Sequence, residues 1–353
     1  MTATPAALVR LPPAVLAEAP PEHLLHGRAV TAIEGARALA VAPCPVCDAR
    51  VAVPFLAIEG FAPPVVRCGC GLGRFAVTPD ENEVLSLYPA VYYGVPGIKF
   101  RGPVEWLVRI VGARHLRFLT RGLRPGARVL DVGCGRGLLL SALADRGFEA
   151  HGLEVSPAAC RDADPRAQIR IAPRLTEARY DPGHFDEVIF WHVLEHLRDP
   201  RETLEEAHRI LRPGGRLIIA VPNFASLQAV WAKEAWFHLD PPRHLFHFPL
   251  AALRALVVRA GFTPQSEHHF SLRQNPFGWI QSALNRRPDL PRNGLYSLLH
   301  RRAPGEPPPF DVATRWRLTL AALPWVPLSL LLTAVETAAR CGATVHIVAT
   351  SRP

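Results

Sequence analysis

The chain has 353 residues, enough to bury one large core or two small ones, and 20% charged against 49% hydrophobic residues place it among globular proteins. Its net charge of +9 comes almost wholly from arginine, Lys99 and Lys233 being the only lysines, beside 36 prolines. No basic block is interleaved with aromatics, so the charge reads as a solvated surface and no specific nucleic-acid partner is expected.

Residues 1–40 are apolar in places, but Pro5, Pro12, Pro13, Pro20 and Pro21 interrupt them and no basic segment precedes them. They read as a poorly ordered lead-in rather than a secretory signal. Seven cysteines without such a signal imply a reducing compartment and a cytoplasmic protein. Within 41–80, Cys44-Pro45-Val46-Cys47 has the form of a metal knuckle, and Cys68-Gly69-Cys70 offers a second pair after room for a hairpin. Four thiolates so placed can close a tetrahedral zinc site that supplies folding energy to a small module. The second pair is C-x-C rather than C-x-x-C, and Asp48 stands where glycine is usual, so a metal-free remnant stays open. Residues 81–125 are expected to form a helical linker or lid.

From Ala127 the chain reads A-R-V-L-D-V-G-C-G-R-G, a strand ending in Asp131 that breaks into Gly133, Gly135 and Gly137. Such a turn lets backbone approach a ligand, and a helix beginning at about Gly137 would aim its amides there. Seventeen residues later Glu154 closes a second strand, where a carboxylate can take both ribose hydroxyls. Strands are expected at 127–133, 149–155, 168–172, 185–191 and 215–221. A helix should start at Asp199 (N-cap), Pro200 (N1) and Glu202 (capping box), and stop before Arg212-Pro213-Gly214-Gly215. Another runs from Pro249 to Ala260 and is closed by Gly261; Gln265–Leu272 and Ala343–Ala349 supply the last two strands.

The spacing G-x-G-x-G, with an acid two residues ahead, differs from the dinucleotide pattern G-x-G-x-x-G, which ranks a nicotinamide oxidoreductase last. It resembles motif I of the class I S-adenosylmethionine-dependent methyltransferases. F-D-E-V-I-F-W-H-V-L-E-H-L (185–197) and H-R-I-L-R-P-G-G-R-L-I-I-A-V-P-N (208–223) are similar to the family's fourth- and fifth-strand segments. The resemblance implies an α/β, doubly wound Rossmann-like sheet of seven strands in residues 126–272 and 343–353, its last strand inserted antiparallel between the fifth and sixth. It also implies an N-terminal cysteine-ribbon module joined through Leu87–Gly94. S-adenosylmethionine would be held by Asp131, Gly133, Cys134, Gly135, Gly137, Glu154 and His192, with adenine near Ala172–Leu175. Outside that turn Cys160 and Cys341 read as small apolar fillers, as Cys134 does on composition alone.

Methyl transfer to oxygen needs a proton acceptor. His238, His244 and His247 fall in the loop after the fifth strand, which faces substrate in this family; His244, beside Arg243, is the first choice as base, with Arg243 holding an anionic or polyhydroxyl group. His192, Glu195 and His196 lie just past the fourth strand, and His238, His247, Tyr92 and Tyr93 are the reserve bases. Asp240-Pro241-Pro242 is similar to a nucleobase-amine motif, but sits after the wrong strand. The expected acceptor is a small molecule, a sugar or a lipid-linked glycan, methylated on oxygen or carbon; an RNA methyltransferase and a non-catalytic cofactor-binding partner stay open, as does oligomeric state.

Residues 273–342 form a helical, apolar insertion before the last strand. Leu318–Val335 carries no charge and is flanked by Arg315, Arg317 and Arg340. Its length reaches the lower limit of a membrane span, yet Pro324 and Pro327 break it. Core or dimer packing, peripheral contact with the inner membrane face, and a span remain open.

Overall fold

The computed structural model describes residues 29–30, 38–58, 61–77, 79–87, 115–300 and 307–352. Most of the lead-in, most of the linker 81–125 including Tyr92 and Tyr93, and 301–306 lie outside the described residues.

The main sheet is built from β6 (Arg128–Val132), β7 (Glu149–Glu154), β8 (Gln168–Ile171), β9 (Phe185–Trp191), β10 (Leu211–Pro222), β12 (Phe262–His268) and β13 (Thr344–Ser351). Their spatial order is β12-β13-β10-β9-β6-β7-β8. β10, β9, β6, β7 and β8 run parallel, and β13 lies antiparallel between β10 and β12, as the resemblance implies. The central strands are nearly continuous runs of buried apolar residues, Val129 and Leu130 in β6 and Val188–Phe190 in β9, because helices cover both faces. Strand order reverses between β6 and β9, which opens a crevice at their carboxyl ends.

Helices α2 (Leu138–Ala144), α3 (Pro200–Ile210) and α5 (Leu250–Arg259) are the crossovers. α3 begins where the sequence indicates, but Asp199 makes no side-chain cap bond. Asp199 and Glu202 line the crevice instead, so the expected capping box does not form. β12 starts at Phe262, three residues before the expected Gln265, and takes in Pro264; it is the sheet's edge strand, where the absent N–H is tolerated, and its register shifts between Pro264 and Ser266. β10 starts early at Leu211, with an irregularity spanning the Pro-Gly-Gly segment.

A second sheet joins β1 (Ala29–Val30), β2 (Leu39–Ala40), β3 (Val51–Ile58), β4 (Phe61–Cys68) and β5 (Gly73–Phe75). Its far edge, against β5, is β11 (Phe246–His247), contributed by the loop after β10. The cysteine hairpin and the loop expected to face substrate are thus one hydrogen-bonded structure.

Following α1 (Glu81–Ser86) and α4 (Leu227–Ala232), the insertion folds as α6 (Gln274–Asn285), α7 (Gly294–Leu299), α8 (Val312–Ala322) and α9 (Trp325–Ala338). α8 and α9 break at Pro324, while Pro327 falls in the first turn of α9, where no intrahelical donor is lost. Among the described residues no single helix is long and apolar enough to cross a membrane; α8 and α9 have the length together, but are bent by 43°.

Candidate active site

The crevice is a cleft of about 460 Å³ lined by the turn after β6, the ends of β7 and β9, residues 172–176, the start of α3 and Arg273. Gly133 and Gly135 line the floor of the cleft whereas Gly137, behind them, does not, and the three take positive φ for different reasons. A side chain at Gly133 would strike Val193 at 2.6 Å, and one at Gly137 would meet Ala163 at 2.9 Å. At Gly135 (φ +51) an added Cβ meets nothing within 4 Å and would enter the cleft. Cys134 is buried, and its Sγ lies 2.7 Å from where a Cβ on Gly152 would stand. Cys134 therefore locks the turn onto β7, a packing role beside its place in the cleft wall.

Glu154 and Asp131 put two carboxyls in this floor, both under 6% exposed. Glu154 Oε2 accepts from the Gly135 N–H at 2.9 Å, and Oε1 from Val155 and Ser156. Burial, with the nearby Glu154 charge, pushes the Asp131 carboxyl up to about 8. Two buried acids and a backbone surface left open by Gly135 suit a ligand bearing a cationic amine and a ribose. Ala172, Pro173, Arg174 and Leu175 line another part of the wall, with no acid among them, so an adenine there meets three apolar side chains, one arginine and backbone.

His192 follows β9 with φ +55 and lines the cleft. Its Nδ1 lies 3.3 Å from Glu195 Oε1, whereas its Nε2 is buried without a hydrogen-bond partner. Burial, reinforced by Arg273, lowers the His192 pKa to about 3, and burial raises Glu195 to about 7. The arrangement is a neutral imidazole whose Nδ1–H is directed by a carboxylate, with Nε2 left as acceptor.

The structure corrects the expectation for Arg243 and His244, neither of which lines the cleft. Arg243 gives Nε and a terminal nitrogen to the two oxygens of Asp240, at 2.9 and 2.5 Å. His244 is buried, its Nδ1 donates to the His238 carbonyl at 2.8 Å, and its ring packs edge-on against His196. The cause is the loop's own ion pair, which turns both side chains inward. Asp240, engaged by Arg243, does not present an acceptor to a base amine. His247 is held between Phe75 of the cysteine sheet and Phe224, and His238 packs on Trp236; both are buried. His196, by contrast, does reach the cleft, with Nδ1 donating to the Arg243 carbonyl at 2.9 Å.

Cleft residues that sequence reading missed include Val84, Arg136, Arg198, Asp199, Glu202, Thr203 and Arg273. Asp199 and Glu202 carried a capping signal that masked them, and Arg273 arrives from the insertion with no local motif.

Away from the cleft, the ligand atoms of Cys44, Cys47, Cys68 and Cys70 all lie within 4.8 Å of one another. Cys44 faces Cys70 at 3.7 Å and Cys47 faces Cys68 at 3.4 Å, so the C-x-C pair delivers both sulfurs to one point. Four thiols so placed fit a tetrahedral zinc ion. Asp48 explains the second departure from the family pattern. It adopts the left-handed conformation (φ +62) that glycine favours, and its carboxylate bridges Arg201 of α3 and Arg259 of α5. Arg201 also donates to the carbonyls of Pro45 (2.6 Å) and Cys44 (3.2 Å). The knuckle is thereby bolted to the helix whose first turn lines the cleft.

Comparison with known proteins adds family membership. Residues 105–267 match a methyltransferase domain model. A ubiquinone biosynthesis O-methyltransferase of Maricaulis maris (strain MCS10) is 30% identical over 197 residues, covering 50% of this chain and 76% of that protein. Its counterpart in Xanthomonas campestris pv. campestris (strain B100) is 36% identical over 129 residues, 35% of this chain and 54% of that protein. The chain thus spans about half the length of the first curated relatives it matches. Among solved structures, the SAM-dependent methyltransferase of Archaeoglobus fulgidus has a TM-score of 0.43 at 17% identity, covering 70% of this chain and 94% of its own. Phosphoethanolamine N-methyltransferase 2 of Haemonchus contortus gives 0.47 at 17% identity, covering 78% and 57%.

Proposed function

Because the chain belongs to the class I S-adenosylmethionine-dependent methyltransferases, we propose that it methylates an oxygen of a small-molecule acceptor, with His192 as the proton acceptor. The acceptor class is a hydroxylated ring, a sugar or a lipid-linked glycan. The relatives are named O-methyltransferases, which supports oxygen over carbon as the accepting atom.

S-adenosylmethionine, when bound, supplies an electrophilic methyl on a sulfonium. Asp131 and the 133–137 turn would hold its amino-acid end, Glu154 its ribose, and the 172–175 segment its adenine. The remaining work of the protein is to orient the acceptor and to take its proton. His192 Nε2 can accept that proton, and Glu195 steadies the imidazolium that forms by holding Nδ1–H. Arg136, Arg174, Arg198 and Arg273 all line the cleft, and their positive charge favours an anionic or polyhydroxyl acceptor.

The observation that carries this reading is His192 on the cleft wall, its Nδ1 facing the buried Glu195 behind it and its Nε2 without a hydrogen-bond partner. His192→Ala should lower turnover by roughly two to four powers of ten while S-adenosylmethionine affinity stays within a few-fold, the usual range for removing a proton acceptor. Loss of cofactor affinity with turnover per bound cofactor intact would instead make His192 a cofactor ligand.

A further inference from the structure

Helix α9 is built inside out. Its buried residues are Ser329, Thr333 and Glu336, whereas Val326, Leu328, Leu330, Leu331 and Val335 are exposed, Leu331 to 62%. α8 continues the surface with Val312, Trp316 and Leu320, spaced four residues apart on one face and each about 60% exposed, and then Leu323. Ordinary surface helices turn the opposite way, apolar inward and polar outward. Two of the three inward polar side chains are bonded: Trp279 donates to Glu336 Oε2 at 3.1 Å, and Ser329 Oγ donates to the Val326 carbonyl.

The breadth of the apolar face identifies what covers it. At 100° per residue the exposed positions from Val326 to Ala338 sweep an arc of about 200°, twice the stripe that packing against a single neighbour requires. A second copy of the chain meeting α9 along one line would leave half of that arc wet; a hydrocarbon phase surrounds it. Charge is placed to match. From Val312 to Arg340 the only acid, Glu336, is buried, while Arg317, beside Trp316 in α8, and Arg340, just past α9, have more than half of each side chain exposed. Each also touches an acid outside the helix pair, Arg317 pairing with Asp289 between α6 and α7 and Arg340 with Glu267 of β12, which restrains both guanidinium groups. With 14 residues α9 measures about 21 Å, short of the roughly 30 Å hydrocarbon core, and the 43° bend to α8 suits a shallow wedge.

We propose that α8 and α9 form a monotopic docking surface that sinks into one leaflet of an anionic phospholipid bilayer, with Trp316 and the flanking arginines at headgroup level. This holds whatever the acceptor is and does not rest on the role of His192. The test is flotation of the full chain with vesicles of phosphatidylglycerol and phosphatidylethanolamine, alongside light scattering without lipid. The expected result is a monomer that floats with the vesicles and, on binding, shows quenching of tryptophan emission by bromine-labelled acyl chains. Leu330→Asp with Leu331→Asp should reduce partitioning by roughly ten-fold or more, since two charges replace two leucines that the bound state would sink into lipid. Both positions are exposed, so cofactor affinity, measured on the same sample, should be unchanged and certifies folding. Absence of flotation, equal flotation of the double variant, or a stable dimer that the double variant dissociates would each overturn the proposal. Should that variant not fold, unquenched tryptophan emission of the wild-type chain on the vesicles would do so.

Discussion

Gly135→Arg separates what the glycine turn does for the backbone from what it does for the ligand. At φ +51 an L-residue is disfavoured by about 1–2 kcal/mol, which should lower Tm by only a few degrees in a chain of this size. The new Cβ meets no atom within 4 Å, so the neighbouring fold need not move. Its side chain has one place to go, the cleft of about 460 Å³, where the guanidinium comes beside the Asp131–Glu154 acids. It would occupy the floor and neutralise the carboxyls at once, so calorimetric affinity for S-adenosylmethionine should fall by at least about 100-fold, or 2.7 kcal/mol. Gly126→Arg is the matched control. Gly126 has φ +80 and equally open surroundings, but it sits in the turn ahead of β6 and does not line the cleft. The two variants should melt alike and bind differently. Wild-type affinity in Gly135→Arg, or equal loss in both, would refute the assignment of this floor.

Protein prepared without chelator should contain about one zinc per chain by elemental analysis, and Cys44→Ser with Cys47→Ser should lose it. Since β11 pairs with β5 and Arg201 grips the knuckle, that double variant should also lower acceptor turnover more than cofactor affinity. Turnover should fall as pH drops below about 7, because Glu195, its pKa raised by burial, then takes up a proton and no longer accepts Nδ1–H of His192. The sign follows from the raised value: the ionised, directing form is present above it and lost below it. Glu195→Gln should remove that acid limb and lower the plateau, so an unchanged pH profile would count against the pair. His244→Ala, set back from the cleft, should reduce thermal stability while leaving the turnover of folded protein within a few-fold; a loss of turnover as large as that of His192→Ala would restore it as the base.

By itself the sequence determined whatever is written in contiguous residues. The Asp131–Gly137 turn, Glu154 at the next strand end and the parallel strands at 149–155, 168–172 and 185–191 were legible because strand ends and tight turns are set by local apolar runs and glycine. The antiparallel last strand came from the family resemblance. The four cysteines could be paired on paper, but only the folded hairpin shows that a C-x-C pair reaches the same point as the C-x-x-C. Tertiary structure decided the choices that rest on competition between partners. Arg243 chose Asp240, three residues away, over the cleft, and so carried His244 inward; Asp199 and Glu202, which read as a helix cap, face the cleft instead. Asp48 looked like a departure from a glycine position until its bridge to Arg201 and Arg259, more than 150 residues on, came into view. The apolar run at 318–335 announced itself in composition, yet which side faces out is fixed by Trp279 and its hydrogen bond to Glu336. Composition counts apolar residues along the chain, whereas burial depends on which neighbours the fold brings against each face.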